Sequence, residues 1–208
     1  MYIPKRFVFD DAECIIPFIK AHSFASIVTV KNNQPTANHL PFVIEERNDD
    51  LILGSHFSRS NPQWKDFSFH PVLVIFSGPH GYVDPRLYES KLSVPTWNYV
   101  AVHAYGTPHL VDDTEAAYQL LEKTIQTYNV EYLDQWQGLP LEYKEKMVKG
   151  IMAFEIKVTS LEAKKKLSQN KTASEKQRIA EAFSQSAYSH ERELSQIMSK
   201  EIHKPVRE

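Results

Sequence analysis

The chain is poor in cysteine, in long apolar runs and in net charge, and each shortage removes a class of protein. Cys14 stands alone, which excludes an internal disulfide and any thiolate-rich zinc site. No apolar stretch approaches the ~20 residues of a membrane-spanning helix, so no membrane partner is expected. Met1-Tyr-Ile-Pro-Lys-Arg-Phe7 lacks the apolar centre of a secretory signal, and a cytoplasmic location is the expectation. The glycine-rich dinucleotide fingerprint, the nucleotide-binding loop ending in Gly-Lys-Ser/Thr and the Gly-x-Ser-x-Gly nucleophile elbow are absent. None of the nine histidines forms an i, i+4 pair around a glutamate, and His39, His56, His80 and His103 are scattered in or beside predicted strands, so no metal site is expected. No repeat recurs at a fixed period.

What is present is a globular composition, 42% hydrophobic and 12% aromatic over 208 residues, with a formal net charge of −2. The charge is uneven. From Lys157 onward there are 11 Lys and Arg against 7 Asp and Glu, leaving +4 there and −6 in residues 1–156. A tail of that excess reads as a solvated helical surface or as a contact for an acidic partner.

Asp10 and Glu13 fit a capping box for a short helix, irregular at Pro17. Phe24–Val30 reads as a strand, Lys31–Gln34 as a turn, and Thr36–Glu45 as the returning strand, at an edge or bulged near Pro41. A third strand covers Leu51–Leu53, and Pro71–Ser77 is apolar and β-branched enough for a central strand. Residues 78–95 read as a long loop, functional or interfacial. Thr96–Gly106 alternates, with Trp97, Tyr99, Ala101, His103 and Tyr105 on one face and Asn98, Val100, Val102 and Ala104 on the other. Thr107-Pro108 should interrupt it before a short strand at His109–Val111. Asp112 with Glu115 starts a helix through Tyr128, and a second follows Pro140 to near Gly150. Met152–Val158 closes the sheet, and Thr172 with Glu175 caps the first of two tail helices. The order implies a small antiparallel barrel with peripheral helices. A helix-turn-helix over Thr172–Lys200 is the weaker reading of the tail, because Ser184–Ser189 contains no glycine.

Gly54-Ser-His-Phe-Ser-Arg-Ser-Asn-Pro-Gln-Trp64 joins the third strand to a well-signalled helix start. Asn61 is placed as an N-cap and Pro62 as the first helical residue. Ser58, Arg59 and Ser60 with the free N–H groups of that turn would surround a phosphate; an ordinary capped surface loop is the plainer alternative. Trp64, Trp97, Tyr99 and Tyr105 are rings able to cover a planar heterocycle or simply to fill a core.

The segments NHLPF at 38–42, SHFSRSNPQW at 55–64, FSGPHGYVDPRLYESK at 76–91, VPTWNY at 94–99 and LEAKKKLSQNK at 161–171 closely resemble the PaiB family of FMN-binding negative transcriptional regulators. Ala163 stands where that family usually has glycine. The resemblance implies a mainly β (α+β) protein: an FMN-binding split β-barrel of antiparallel strands over 1–160, a helical insertion at about 112–150, and a basic segment with C-terminal helices packed on the barrel over 161–208. It implies a homodimer with FMN at the subunit interface. Ser58 and Arg59 would bind the FMN phosphate, with His56 and Asn61 supporting that loop. Ile27, Thr29, Asn38 and His39 would lie near the isoalloxazine or ribityl chain, Trp97 and Asn98 would reach the flavin, and Lys166, Ser168 and Gln169 would close over it. Flavin would then be a structural or sensing cofactor of a regulator, or the redox centre of an FMN-dependent oxidoreductase, or lost from an interaction protein built on the same dimer. No acid or base stands out beyond His39, His56 and His103, and the weakly basic tail is a poor warrant for sequence-specific DNA binding.

Overall fold

In the computed structural model, which describes residues 1–68 and 71–202, two pairs of residues with positive φ fold the first four strands into hairpins. Asn32 and Asn33 (φ 49° and 61°) join β1 (Phe24–Lys31) to β2 (Gln34–Pro41), and Asn48 and Asp49 (51° and 66°) join β3 (Val43–Arg47) to β4 (Asp50–Ser58). Asn and Asp tolerate the left-handed region, and two such residues in succession match the twist of a two-residue hairpin. With β5 (Val72–Val83), β6 (Thr96–Leu110) and β7 (Ile151–Lys166) these strands form an antiparallel sheet in the order β2-β1-β5-β6-β7-β4-β3, not closed on itself. Helix α1 (Ala12–Ala21) precedes it, α2 (Thr114–Tyr128), α3 (Leu133–Gly138) and α4 (Leu141–Lys149) lie between β6 and β7, and α5 (Ala173–Ser184) and α6 (Ser189–Ile202) follow. The mainly β class with peripheral and C-terminal helices is therefore as expected.

Several boundaries differ. Thr36–Glu45 is two strands, because Phe42 leaves the ladder to bury its ring and donates its N–H to Ser23 O at 2.9 Å. The third strand continues to Ser58 through residues that read as loop, since Ser55 meets its hydroxyl requirement on Pro41 O at 2.7 Å. The central strand runs on to Val83, β6 passes through Thr107-Pro108 without a break, and β7 reaches Lys166. Proline removes one donor but leaves extended backbone accessible. Pro17 likewise sits inside a continuous α1, and α3 was not foreseen.

The chain divides into two compact units. One comprises Ile16–Phe76 and His103–Leu161; the other comprises Met1–Ile15, Ser77–Val102 and the residues from Glu162. In the first, β4 is covered on both faces. Leu53, Ser55 and Phe57 point into a phenylalanine core in which the Phe154 ring lies 5.0 Å from both Phe57 and Phe67, and Phe42 bridges it to Phe76. Ring pairs of this kind add about 0.5–1.5 kcal/mol each beyond area burial. On the opposite face Gly54 admits Leu120 of α2, and Val43, Ala117, Leu120, Val148 and Ala153 form a second apolar layer.

In the other unit, Ile179, Ala180 and Phe183 of α5 are buried with Leu194, Ser195 and Met198 of α6, and Ser195 donates to Ala180 O at 2.6 Å. Gly81 of β5 leaves room for Phe183. The capping box at Thr172 and Glu175 is present. The Glu175 carboxylate also accepts the Glu89 N–H, and those backbone donors hold it below the usual carboxylate range.

Gly106→Ala is expected to lower stability by about 1–3 kcal/mol, because an added Cβ would stand 2.5 Å from the Lys157 carbonyl oxygen and from Ile156 Cγ2. Gly138→Ala, with nothing within 4 Å, is expected to be neutral or slightly stabilising. Urea unfolding of both variants checks the contrast, and coincident midpoints would refute it.

Candidate functional site

The Gly54–Trp64 stretch is a bracket between a strand end and a helix end. Beyond β4, Arg59 donates its backbone N–H to Gly150 O at 2.9 Å and its Nε to Lys149 O at 2.7 Å, so both ends of the residue engage the C-terminus of α4. Carbonyls at a helix C-terminus lack intrahelical donors, and a guanidinium satisfies one of them while meeting the negative end of the dipole. Ser58 and Ser60 hydroxyls lie 2.8 Å apart and exposed, Asn61 donates its N–H to Ser58 O at 2.9 Å, and Trp64 Nε1 donates to Arg59 O at 3.3 Å.

Asn61 caps as expected, its Oδ1 accepting the Gln63 N–H at 3.0 Å. The element that follows, however, is a 3-10 helix of seven residues, Pro62–Ser68, not an α-helix. Its dipole is short and its Gln63 N–H is already taken. The anion-binding character of the stretch therefore rests on two hydroxyls and a guanidinium. Arg59 also borders a cavity of about 250 Å³ shared with Asp112 and Asp113. That cavity is mixed in sign, and the donors suited to a phosphate dianion are Ser58, Ser60 and the arginine fork.

Four of the expected flavin contacts converge on a residue that the sequence did not single out. Gln63 is 2% exposed, and its Nε2 lies within hydrogen-bond distance of Thr29 Oγ1 (3.1 Å), Thr36 O (3.1 Å) and Ile27 O (3.4 Å). Its Oε1 accepts from Asn38 Nδ2 at 2.6 Å. Ile27, Thr29 and Asn38 are thus tied to one buried amide, and Asn61 to the backbone N–H of the same residue. Thr29 also donates to Asp66 at 3.4 Å, and Lys31 pairs with Asp66 at 3.3 Å. Nothing in spacing or residue type separates Gln63 from any polar residue in a first helical turn.

His39 lies elsewhere. It is opposite Ser26 in the β1–β2 register, whereas Asn38 is opposite Ile27, so the two neighbours face opposite sides of the sheet. His39 Nδ1 is 2.9 Å from Ser26 Oγ. His56 stands opposite Ala153 of β7 on the face that meets α2 and α4, and burial lowers its pKa, so its imidazole stays neutral.

Trp97, Asn98, Lys166, Ser168 and Gln169 belong to the other unit. Asn98 is fully buried and bonds Ser168 Oγ through Nδ2 at 2.9 Å, with Ser168 returning a bond to Oδ1 at 3.1 Å. Ser168 has φ 61°, and Gln169 Oε1 accepts the Leu167 N–H at 2.7 Å within the same turn. Lys166 Nζ donates to Thr96 Oγ1 and borders a cavity of about 400 Å³ with Asn98 and Ser168. Trp97 is half exposed in a row of rings with His80 at 6.0 Å and Tyr82 at 5.8 Å. Among the described residues no group of three or more His, Cys, Asp or Glu is placed to hold a metal ion, and no helix is long and apolar enough to cross a membrane.

Gln63→Leu is expected to destabilise by roughly 1–3 kcal/mol, since it leaves the Asn38 amide and the Thr36 carbonyl without their buried partner. A thermal melt equal to that of the parent would remove Gln63 as the organiser. The lowered His56 pKa has a definite sign. The unfolded chain takes up a proton at this residue near 6.5 and the folded chain only at lower pH, so stability falls as pH drops below about 6.5. His56→Gln is expected to flatten that acid limb, and an unchanged pH profile would sink the attribution.

The family described as "Putative FMN-binding domain" matches residues 1–160. The chain is 35% identical over 210 residues to "Protease synthase and sporulation protein PAI 2" of Bacillus subtilis, covering 99% of this chain and 100% of that protein. Among solved structures, the flavocytochrome Anf3 of Azotobacter vinelandii superposes with a TM-score of 0.63 at 17% identity, over 79% of this chain and 72% of that one. The FAD and heme binding protein of Mycobacterium smegmatis superposes at 0.59 with 16% identity, over 75% and 71%. At such identities the structures speak for the fold, and the sequence relationship speaks for the family. The chain belongs to the PaiB-type family of FMN-binding domains, and FMN is the cofactor that membership carries.

Proposed function

We propose that FMN is seated with its phosphate on Ser58, Ser60 and Arg59 and that the protein works as a dimeric regulator of the PaiB type, with flavin as a structural or sensing cofactor. The carrying observation is the donor set at the end of β4. Two exposed hydroxyls lie 2.8 Å apart on either side of Arg59 in sequence, and the arginine is already immobilised through Nε on Lys149 O. Prior fixing of one nitrogen lowers the entropy lost when the remaining nitrogens meet an anion.

Bound FMN would supply hydride or single-electron chemistry at its ring. The chain's own contribution is positional. Gln63 holds β1, β2 and the 3-10 turn in one frame, which sets where Thr29 and Asn38 lie beside a ribityl chain or ring edge. His39 and Asn38, facing opposite sides, would not contact the same ring face. Neutral His56 supports β4 ahead of Ser58 without adding charge to the phosphate seat. Trp97 and Asn98 are assigned to completing the flavin environment, the exposed indole offering a stacking face to a second copy. Phe24 and Val30, exposed on β1, give that second copy apolar surface to cover. Lys166 and Ser168 border a cavity with chemistry of its own.

A second reading, an FMN-dependent oxidoreductase acting on a small molecule, draws support from that cavity, whose size suits a small-molecule ligand. Specific retention of duplex DNA at physiological salt against a competitor favours the regulator, and anaerobic bleaching of bound flavin by a nicotinamide donor favours the enzyme. Retention that is non-specific and collapses with salt would sink direct DNA reading.

Arg59→Ala is expected to weaken FMN binding by about 1.5–3 kcal/mol, the range for hydrogen bonds to charged groups, while leaving riboflavin binding nearly unchanged. Fluorescence titration with both flavins checks this, and an unaltered FMN affinity in a folded variant removes Arg59 from the phosphate seat.

A further inference from the structure

We infer that the cavity bordered by Lys166 and Lys171 is a binding site for a small organic anion, a carboxylate or phosphate ester with an apolar body, built from other residues than the FMN phosphate seat. The cavity is about 400 Å³ and every residue lining it is apolar, neutral polar or cationic. Two ammonium groups therefore share a concave surface whose lining includes no carboxylate, Glu175 acting on Lys171 from outside it.

Each ammonium also rests on an uncharged group of the cavity wall. Lys166 Nζ donates to Thr96 Oγ1 and lies 6.0 Å from the Phe7 ring centroid. Lys171 Nζ sits 3.4 Å from the centroid of the buried Tyr88 ring. A ring face stabilises a cation weakly and leaves its outward N–H groups free to meet an anion. Burial and the nearby charge of Lys164 lower the Lys166 pKa, the direction expected of an ammonium whose countercharge is missing. Lys165 of the same strand differs, since it pairs with Glu201 at 2.9 Å.

The backbone is organised to hold this arrangement. Ser168 occupies the left-handed region at φ 61°, uncommon for a residue with a side chain, and is locked there by its paired bonds with Asn98. Lys171 N–H closes the turn on Ser168 O at 3.0 Å, which returns its side chain over Tyr88. Leu92 and Val94, 97% and 78% exposed, stand on the cavity wall. Apolar side chains beside two cations, with no carboxylate in the lining, call for a ligand with an anionic head and an apolar body, and an inorganic ion would leave them wet.

The test is calorimetric titration of the full-length, FMN-loaded protein at low salt with benzoate and with phenyl phosphate, benzamide being the uncharged control. Both anions are expected to bind at least about tenfold more tightly than benzamide, with affinity falling as salt rises. The relative strength of the two tells carboxylate from phosphate preference. Lys171→Met is expected to weaken the anions about tenfold while Lys171→Arg keeps most of the affinity, FMN content being unchanged in both. Lys166→Met supplies an independent arm should Lys171→Met fail to fold. Benzamide binding as well as the anions, or anion affinity unchanged in the folded methionine variants, overturns the site. Loss of FMN from Lys171→Met overturns it too, because the cavity would then be holding the cofactor. If the protein takes up no FMN, the same titration on the purified chain still decides the cavity, and the flavin reading fails separately.

Discussion

Burial of β4 on both faces is the constraint from which the phosphate seat follows. Leu53, Ser55 and Phe57 are committed to the phenylalanine core, and Gly54 is committed to the close approach of Leu120. The strand can neither rotate nor slip, since a one-residue shift would drive Phe57 toward α2 and turn His56 into the rings. Its exposed end at Ser58 is consequently a fixed point, and the bonds from Arg59 to Lys149 and Gly150 extend that fixity past the end of the sheet. The exposed hydroxyls begin where two-sided burial stops.

The sequence revealed most where the local pattern was unambiguous. The alternation in β6 placed Trp97 and Asn98 on opposite faces, and the burial of Asn98 beside an exposed Trp97 follows that order. The capping box at Thr172 and Glu175 was equally legible. Elsewhere the local signal was degenerate. Asp10-Asp11 and Asp112-Asp113 are acidic doublets in which either residue can cap; the helices take Asp11 and Asp113. Pro41-Phe42-Val43 reads as one apolar run, and only the distant Ser23 carbonyl shows why the chain turns there. Ser-His-Phe-Ser reads as loop because its polarity is local, whereas the partner that makes it strand, residues 151–154, lies about a hundred residues away.

The same distinction governs the candidate site. Ser58 and Arg59 announce an anion by residue type. Gln63 is organised by two strands remote in sequence, β1 and β2, and no period or motif encodes such a meeting. Lys171 shows the converse. In sequence it is one lysine of a basic stretch and reads as solvated surface; in the fold a left-handed serine turns it over an aromatic ring, while Lys165 of the same stretch is neutralised by Glu201. Charge counts cannot separate a lysine neutralised in a surface ion pair from one turned toward a cavity.

The sheet edges have a consequence for solution behaviour. β2 forms one edge and carries Pro35 and Pro41, each lacking the N–H that an added strand would need. β3 forms the other and is five residues long, ending in Glu45, Glu46 and Arg47. Short, charged or proline-bearing edges resist templated strand addition. An open sheet is thereby kept from growing end to end into aggregates at high concentration, and self-association is left to side-chain surfaces such as Phe24 and Trp97, where it can stop at a finite number of copies.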